Sequence, residues 1–178
     1  MKVYKKKNLI LFILIFIGCK STLNHNPSIN DSTDNDVEIE EKVPNPKGLR
    51  HFMDGQLLMN QGDFAMAIIE FQEALTLDPN VSAIHTAIAE SYWNLGKPKL
   101  SEKHLLIAIK NDAKDKQALQ MISDQYILEK KFTKATTYLQ RLNNLYPNES
   151  KYIIALAELK KVNQEYKDAM ELYLAAYK

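Results

Sequence analysis

The side chain best suited to covalent chemistry is the thiol of Cys19, the only cysteine among 178 residues. A lone thiol cannot close an internal disulfide. No C-x-x-C pair, G-x-S-x-G elbow, H-E-x-x-H motif or Gly-rich phosphate loop occurs. The four histidines are His25, His51, His85 and His104. His51 and His85 stand 34 residues apart, but a metal site needs further ligands beside them and the spacing indicates none. They read as half-buried packing residues. The sequence therefore points to no catalytic residue, no metal and no cofactor. What remains is Cys19 and whatever surface the rest of the chain builds.

The surroundings of Cys19 are specific. Leu9 to Ile17 is an unbroken run of nine apolar residues, preceded by Lys5, Lys6 and Lys7. As a helix the run spans ~14 Å, about half of a ~30 Å bilayer core. It is too short to cross a membrane but has the layout of a secretory signal, a basic segment followed by a short apolar one. The stretch FIGC, Phe16 to Cys19, resembles a bacterial lipobox, with Ile17, Gly18 and Cys19 on the pattern and Phe16 in place of the usual Leu. The resemblance implies cleavage after residue 18, so that 1–18 is a signal peptide. It implies that Cys19 becomes the first mature residue and carries a diacylglycerol on its sulfur. Two or more acyl chains hold a protein stably at a membrane where one does not.

Between Lys20 and Pro46 the chain is rich in Asn, Ser, Asp and Glu and carries 2 Lys against 6 acids. It has little apolar surface to bury and is expected to be disordered. Residues 19–46 thus read as a lipidated, acidic tether, with a reach of ~30 Å. Residues 47–178 carry 17 basic and 16 acidic side chains, so this part is near neutral and offers no basic face for nucleic acid.

After Pro46 the sequence repeats. GDFAMAIIEFQEALTLDPN, from Gly62, aligns with KKFTKATTYLQRLNNLYPN, from Lys130, at a shift of 68, and intermediate positions hold the same phase at 34. Gly55, Ala89, Ser123 and Ala157 recur at this period, as do Ala67, Ser101, Ala135 and Ala169. Small residues at fixed spacing let helix axes approach to ~8 Å. Phe71, Leu105, Leu139 and Tyr173 recur as the large partners. The period and these positions resemble the tetratricopeptide repeat. The resemblance implies an all-α solenoid of antiparallel helix pairs, with repeats at 48–81, 82–115, 116–149 and 150–178. Pro79 and Pro147 are expected to follow helix ends, and Pro98 to open a helix.

Three departures carry expectations. Asp54 stands where Ile88, Ile122 and Leu156 stand, which suits a terminal layer. Leu142 replaces the small residue of Ala74 and Ala108, which predicts looser packing there. No polar capping helix follows the last repeat, so Tyr173, Leu174 and Tyr177 are expected to be partly exposed.

In this family the first helix of each repeat lines the concave surface. Met53, Ala87, Met121 and Ala155 share one groove position; Met59, Trp93, Ile127 and Lys161 share a second; Gln56, Glu90, Asp124 and Glu158 share a third. The expected binding groove is therefore Met53, Gln56, Met59, Glu90, Trp93, Met121, Asp124, Ile127 and Glu158, an apolar floor beside an acidic ridge. Such a groove suits a helix or extended peptide with apolar anchors and Lys/Arg flanks. Members that hold acidic chaperone tails resemble one another in a clamp of Lys, Asn and Arg. Here the corresponding residues are Phe52, Gln56, Ala87, Gln117 and Met121, so that clamp is absent.

Together these features predict a non-enzymatic lipoprotein adaptor in the bacterial cell envelope, outer membrane or cell surface, with a protein partner. No nucleic-acid partner or small-molecule substrate is expected. The competing expectations are a surface-displayed lipoprotein that meets host or environmental molecules, and an envelope enzyme with an unrecognised site.

Overall fold

The computed structural model describes residues 43–177. Cys19, the signal segment and most of the tether lie outside the described residues. Eight helices follow one another in the described part: α1 (Pro46–Asn60), α2 (Phe64–Leu77), α3 (Ser82–Asn94), α4 (Pro98–Asn111), α5 (Lys116–Leu128), α6 (Phe132–Leu145), α7 (Ser150–Val162) and α8 (Tyr166–Ala176). No described helix is long and apolar enough to cross a membrane. The helices pair as the 34-residue frame predicts, and each packs on its neighbours in chain order. The result is a tetratricopeptide-type solenoid of four helix pairs.

Local chemistry fixes the ends. Asn45 caps α1, its side chain accepting from Lys47 N (3.0 Å), with Pro46 in the first turn. The Asn45 backbone N–H in turn donates to Asp78 Oδ2 (2.8 Å), clipping the start of the first repeat to the end of α2. Pro98 opens α4, and α2 and α6 end just before Pro79 and Pro147. The turn inside each repeat takes a left-handed residue at 34-residue spacing: Gly62 (φ 82), Gly96 (φ 66), Lys130 (φ 59) and Gln164 (φ 64). Each time the next N–H reaches back five residues, as from Asp63 to Leu58 O (2.9 Å) and from Lys131 to Tyr126 O (2.8 Å). This is the Schellman closure, in which a left-handed residue satisfies the last carbonyls.

The small-residue positions are where helices touch. Gly55 is buried, and Ala89, Ser123, Ala157, Ala67, Ser101 and Ala135 are fully buried. Two apolar clusters form the core. One is built on Phe71, Ile84 and Ile88; the other, on Leu105, Leu119, Ile122 and Leu139, runs through the central repeats. Repeats two and three are also latched by Asp115, whose Oδ1 caps Ala118 N (2.9 Å) while Oδ2 accepts from Ser82 Oγ (2.7 Å) and Thr86 Oγ1 (3.0 Å).

The terminal expectations fare differently. Asp54 is exposed on the outer face of α1, as a terminal layer requires. Tyr173 is half-buried, whereas Leu174 and Tyr177 are 59% and 86% exposed. Leu142, at the position where the first two repeats carry alanine, is fully buried. It belongs to the second cluster with Leu119 and Tyr152.

Candidate functional site

The first helices of repeats two and three, α3 and α5, flank a cleft of about 270 Å³ with the start of α4 at its base. Four of the groove residues expected from sequence line it: Glu90 and Trp93 from α3, Met121 and Asp124 from α5. Their spacing on each helix, three residues apart, puts both on one face. Trp93 is half-buried, and Leu128 adds apolar surface at the far end of α5.

The other expected residues do not line this cleft. Met59 packs against the first apolar cluster and Ile127 against the second. Met53 is 63% exposed on α1, and Gln56 is half-buried. Glu158 is bound by its own repeat: Lys161 Nζ lies 2.5 Å from its carboxylate, and the Tyr173 hydroxyl donates to it. The acidic ridge is thus shorter in effect than the sequence suggests. Of the three acids of the ridge, Glu90 and Asp124 have no basic side chain within 4.0 Å among the described residues. Glu90 Oε2 accepts a long bond from Gln117 Nε2 (3.3 Å), which crosses from α5 to α3. Desolvation raises the Asp124 pKa above its ordinary value, opposed by the charge of Lys151.

Sequence reasoning missed two polar residues at the base of this cleft. Gln125 is 3% exposed; its Nε2 donates to Pro98 O (2.9 Å) and Glu129 Oε1 (3.1 Å). Two acceptors fix the amide orientation, and the Oε1 atom is left without a donor. Ser101 is fully buried, and its Oγ has no partner. The signal was available in the repeat frame. Gln125 holds the phase of Leu57, Ser91 and Leu159, and Ser101 that of Ala67, Ala135 and Ala169.

The described histidines are structural in placement, and His25 lies outside the described residues. His51 and His85 each turn to the second helix of their own repeat, 19 residues on. His51 Nδ1 meets Glu70 Oε2 at 2.7 Å, and His85 Nδ1 meets His104 Nδ1 at 3.2 Å. Burial, then the mutual repulsion of the two rings, lowers the His104 pKa to about 4; burial also lowers that of His85. A neutral pair results, one ring donating to the other. Among the described residues no group of three or more His, Cys, Asp or Glu side chains is gathered to hold a metal ion.

The model of the tetratricopeptide repeat matches residues 51–81. No match was found among curated proteins. Solved structures share the fold. The first TPR of Spaghetti (RPAP3), bound to an HSP90 peptide, is 20% identical with a TM-score of 0.62, covering 68% of this chain and 99% of that one. MamA from Desulfovibrio magneticus RS-1 is 22% identical with a TM-score of 0.62, covering 73% of each. YrrB, described as a TPR protein with an unusual peptide-binding site, is 16% identical with a TM-score of 0.63, covering 72% of this chain and 66% of that one. Such likeness establishes the fold. This chain has the tetratricopeptide-type helical fold, and its first repeat matches the family's model.

Proposed function

We propose that this protein is a non-catalytic adaptor of the bacterial cell envelope, lipidated at Cys19, which holds a segment of a partner protein in its concave groove. The observation that carries the reading is the cleft between α3 and α5. Trp93 and Met121 supply apolar surface there, and Glu90 and Asp124 supply carboxylates beside it. A half-exposed indole next to a methionine costs free energy in water and is recovered when a partner covers it. The peptide-bound Spaghetti structure and the peptide site described for YrrB support a peptide as the class of ligand. An acidic chaperone tail is a poor candidate here, because it would meet Glu90 and Asp124 rather than a basic clamp. The signal-like N-terminus and the lipobox-like FIGC support the membrane anchor, with 19–46 as the tether and 47–178 as the binding domain.

The test is crosslinking and capture from membranes with the full chain and with Trp93→Ala. Buried aromatic anchors typically contribute ~2 kcal/mol or more on truncation. The variant should lose its partner while keeping the wild-type melting temperature. Capture of the same partner in the same yield would remove the groove from the function. Protease treatment of intact cells separates a periplasm-facing adaptor, which is spared, from a surface-displayed protein, which is shaved.

A further inference from the structure

The cleft between α3 and α5 contains two departures from the repeat pattern that converge on one place. At the phase of Gln125 the fourth repeat buries Leu159, and at the phase of Ser101 the other repeats bury alanine. Apolar residues are therefore accepted at both positions, and the other buried polar residue at the Gln125 phase, Ser91 of the second repeat, has its hydrogen-bond partner. An unpaired polar atom in a buried position costs roughly 1–3 kcal/mol. Here two such atoms, Gln125 Oε1 and Ser101 Oγ, belong to residues that line the same cleft. The other buried hydroxyls of α3 and α5 are satisfied: Ser91 donates to Ala87 O (2.9 Å) and Ser123 to Gln120 O (2.8 Å). Glu129 Oε2 and Tyr152 Oη, also without hydrogen-bond partners, belong to residues outside the lining of this cleft.

The atoms left open are acceptors. Gln125 Oε1 can only accept, Ser101 Oγ can accept, and the carboxylates of Glu90 and Asp124 stand on the two flanking helices. Trp93 and Met121 supply the apolar wall. We propose that this cleft is a specificity pocket for one arginine side chain of the partner, its guanidinium bound by Glu90, Asp124 and Gln125 Oε1 against the Trp93 indole. This rests on the groove reading above and names what the groove selects. Arginine is favoured over lysine by geometry. Its planar fork offers five donors to acceptors on two different helices and stacks on an aromatic face, whereas an ammonium is a compact point charge with three donors. The aliphatic stem lies along apolar surface while the head finds the acceptors. Lys151, held by Glu149 Oε2 (3.1 Å) and near Gln120 Oε1 (3.4 Å), remains outside the residues lining the cleft.

Trp93 is the only tryptophan of the chain, so its fluorescence and its indole N–H resonance report on this pocket alone. The full chain is titrated with acetyl-Ala-Arg-Ala-amide and with the same peptide carrying lysine or norleucine in the centre. The arginine peptide should perturb the Trp93 signal saturably at millimolar concentration, and salt should weaken it. Glu90→Gln with Asp124→Asn, both at the mouth, should weaken it by at least tenfold. Gln125→Leu, which installs the residue found at Leu159, should weaken it about tenfold, as loss of a hydrogen bond to a charged group does. Equal response to norleucine, equal response to lysine, or no response at all would each overturn the proposal. If the arginine peptide fails but Trp93→Ala still abolishes partner capture, the groove reading stands without this pocket. If the peptide binds but capture ignores Trp93, the pocket stands and the groove reading falls.

Discussion

Gly55 of α1 lies flat against the ring of Phe71 in α2: a β-carbon placed on Gly55 would sit 2.5 Å from Phe71 Cε1. The other repeats place Ala89, Ser123 and Ala157 at this position, opposite Leu105, Leu139 and Tyr173. The fully buried Phe71 is bulkier than the leucines of repeats two and three, and the missing methyl is the compensation, whereas Tyr173 of the fourth repeat is only half-buried. Gly55→Ala should destabilise by ~1–3 kcal/mol through overpacking. Combining it with Phe71→Leu, which restores the pair used in repeat two, should recover part of that loss. Denaturant melts of the two single variants and the double variant measure the coupling; strict additivity would mean that the contact is not the cause.

The left-handed turns give a second prediction with opposite signs at equivalent positions. Gly62 and Gly96 adopt positive φ without a Cβ, whereas Lys130 and Gln164 adopt it with one. A non-glycine residue in this region costs about 1 kcal/mol. Gly62→Ala should therefore lower stability by ~1 kcal/mol, and Lys130→Gly should raise it by a few tenths to ~1 kcal/mol. Nothing approaches within 4 Å of a β-carbon built on Gly62, so the effect is one of backbone conformation and not of packing. Thermal melts of the two variants check the signs.

The histidine pair makes stability depend on acid. His104 has a folded pKa of about 4, below its ordinary value of 6.5. The unfolded chain therefore binds more protons between those limits. Stability is full above about pH 6.5 and falls as pH drops toward 4. The melting temperature should decline between pH 7 and pH 5, before most carboxylates titrate. His104→Gln should flatten that slope even where it lowers the melting temperature at pH 7. An unchanged slope would place the dependence elsewhere.

Asp115 joins three bonds in one carboxylate: a helix cap and two hydroxyl contacts across the repeat boundary. Asp115→Ala should cost ~1–2 kcal/mol, as loss of a cap with its attendant bonds does. Asp115→Asn retains the cap acceptor and should cost less. Hydrogen exchange would find the loss in α3 and α5, with α7 and α8 unaffected.

Anchoring has its own test. Cys19→Ala should leave the precursor uncleaved and unlipidated, which mass spectrometry of the membrane fraction reads directly. Maturation at the same site would remove the lipobox reading.

The helix pairs were legible because close crossings tolerate only small side chains, and Gly55, Ala89, Ser123 and Ala157 mark them at one period. Trp93, Glu90, Met121 and Asp124 were legible for the same reason, since phase alone sets which face a residue takes. What was not legible depends on contacts between phases. The pairing of His85 with His104 and the capture of Glu158 by Lys161 and Tyr173 join different positions of the frame. Leu142 reads as an intrusion until the space around it is known. Gln125 and Ser101 were visible as polar exceptions, but only their missing partners give them a meaning.

The bond from Asn45 N–H to Asp78 Oδ2 has a mechanical consequence. Tension arriving along the chain from residues before 45 does not peel α1 away one turn at a time. It enters at a point clipped to the residue that follows α2, so while the bond holds the load passes through Asp78 toward α3 and the pair α1–α2 is bypassed. Asp78→Ala should therefore lower the force at which the first repeat yields, more than it lowers the melting temperature of the whole chain.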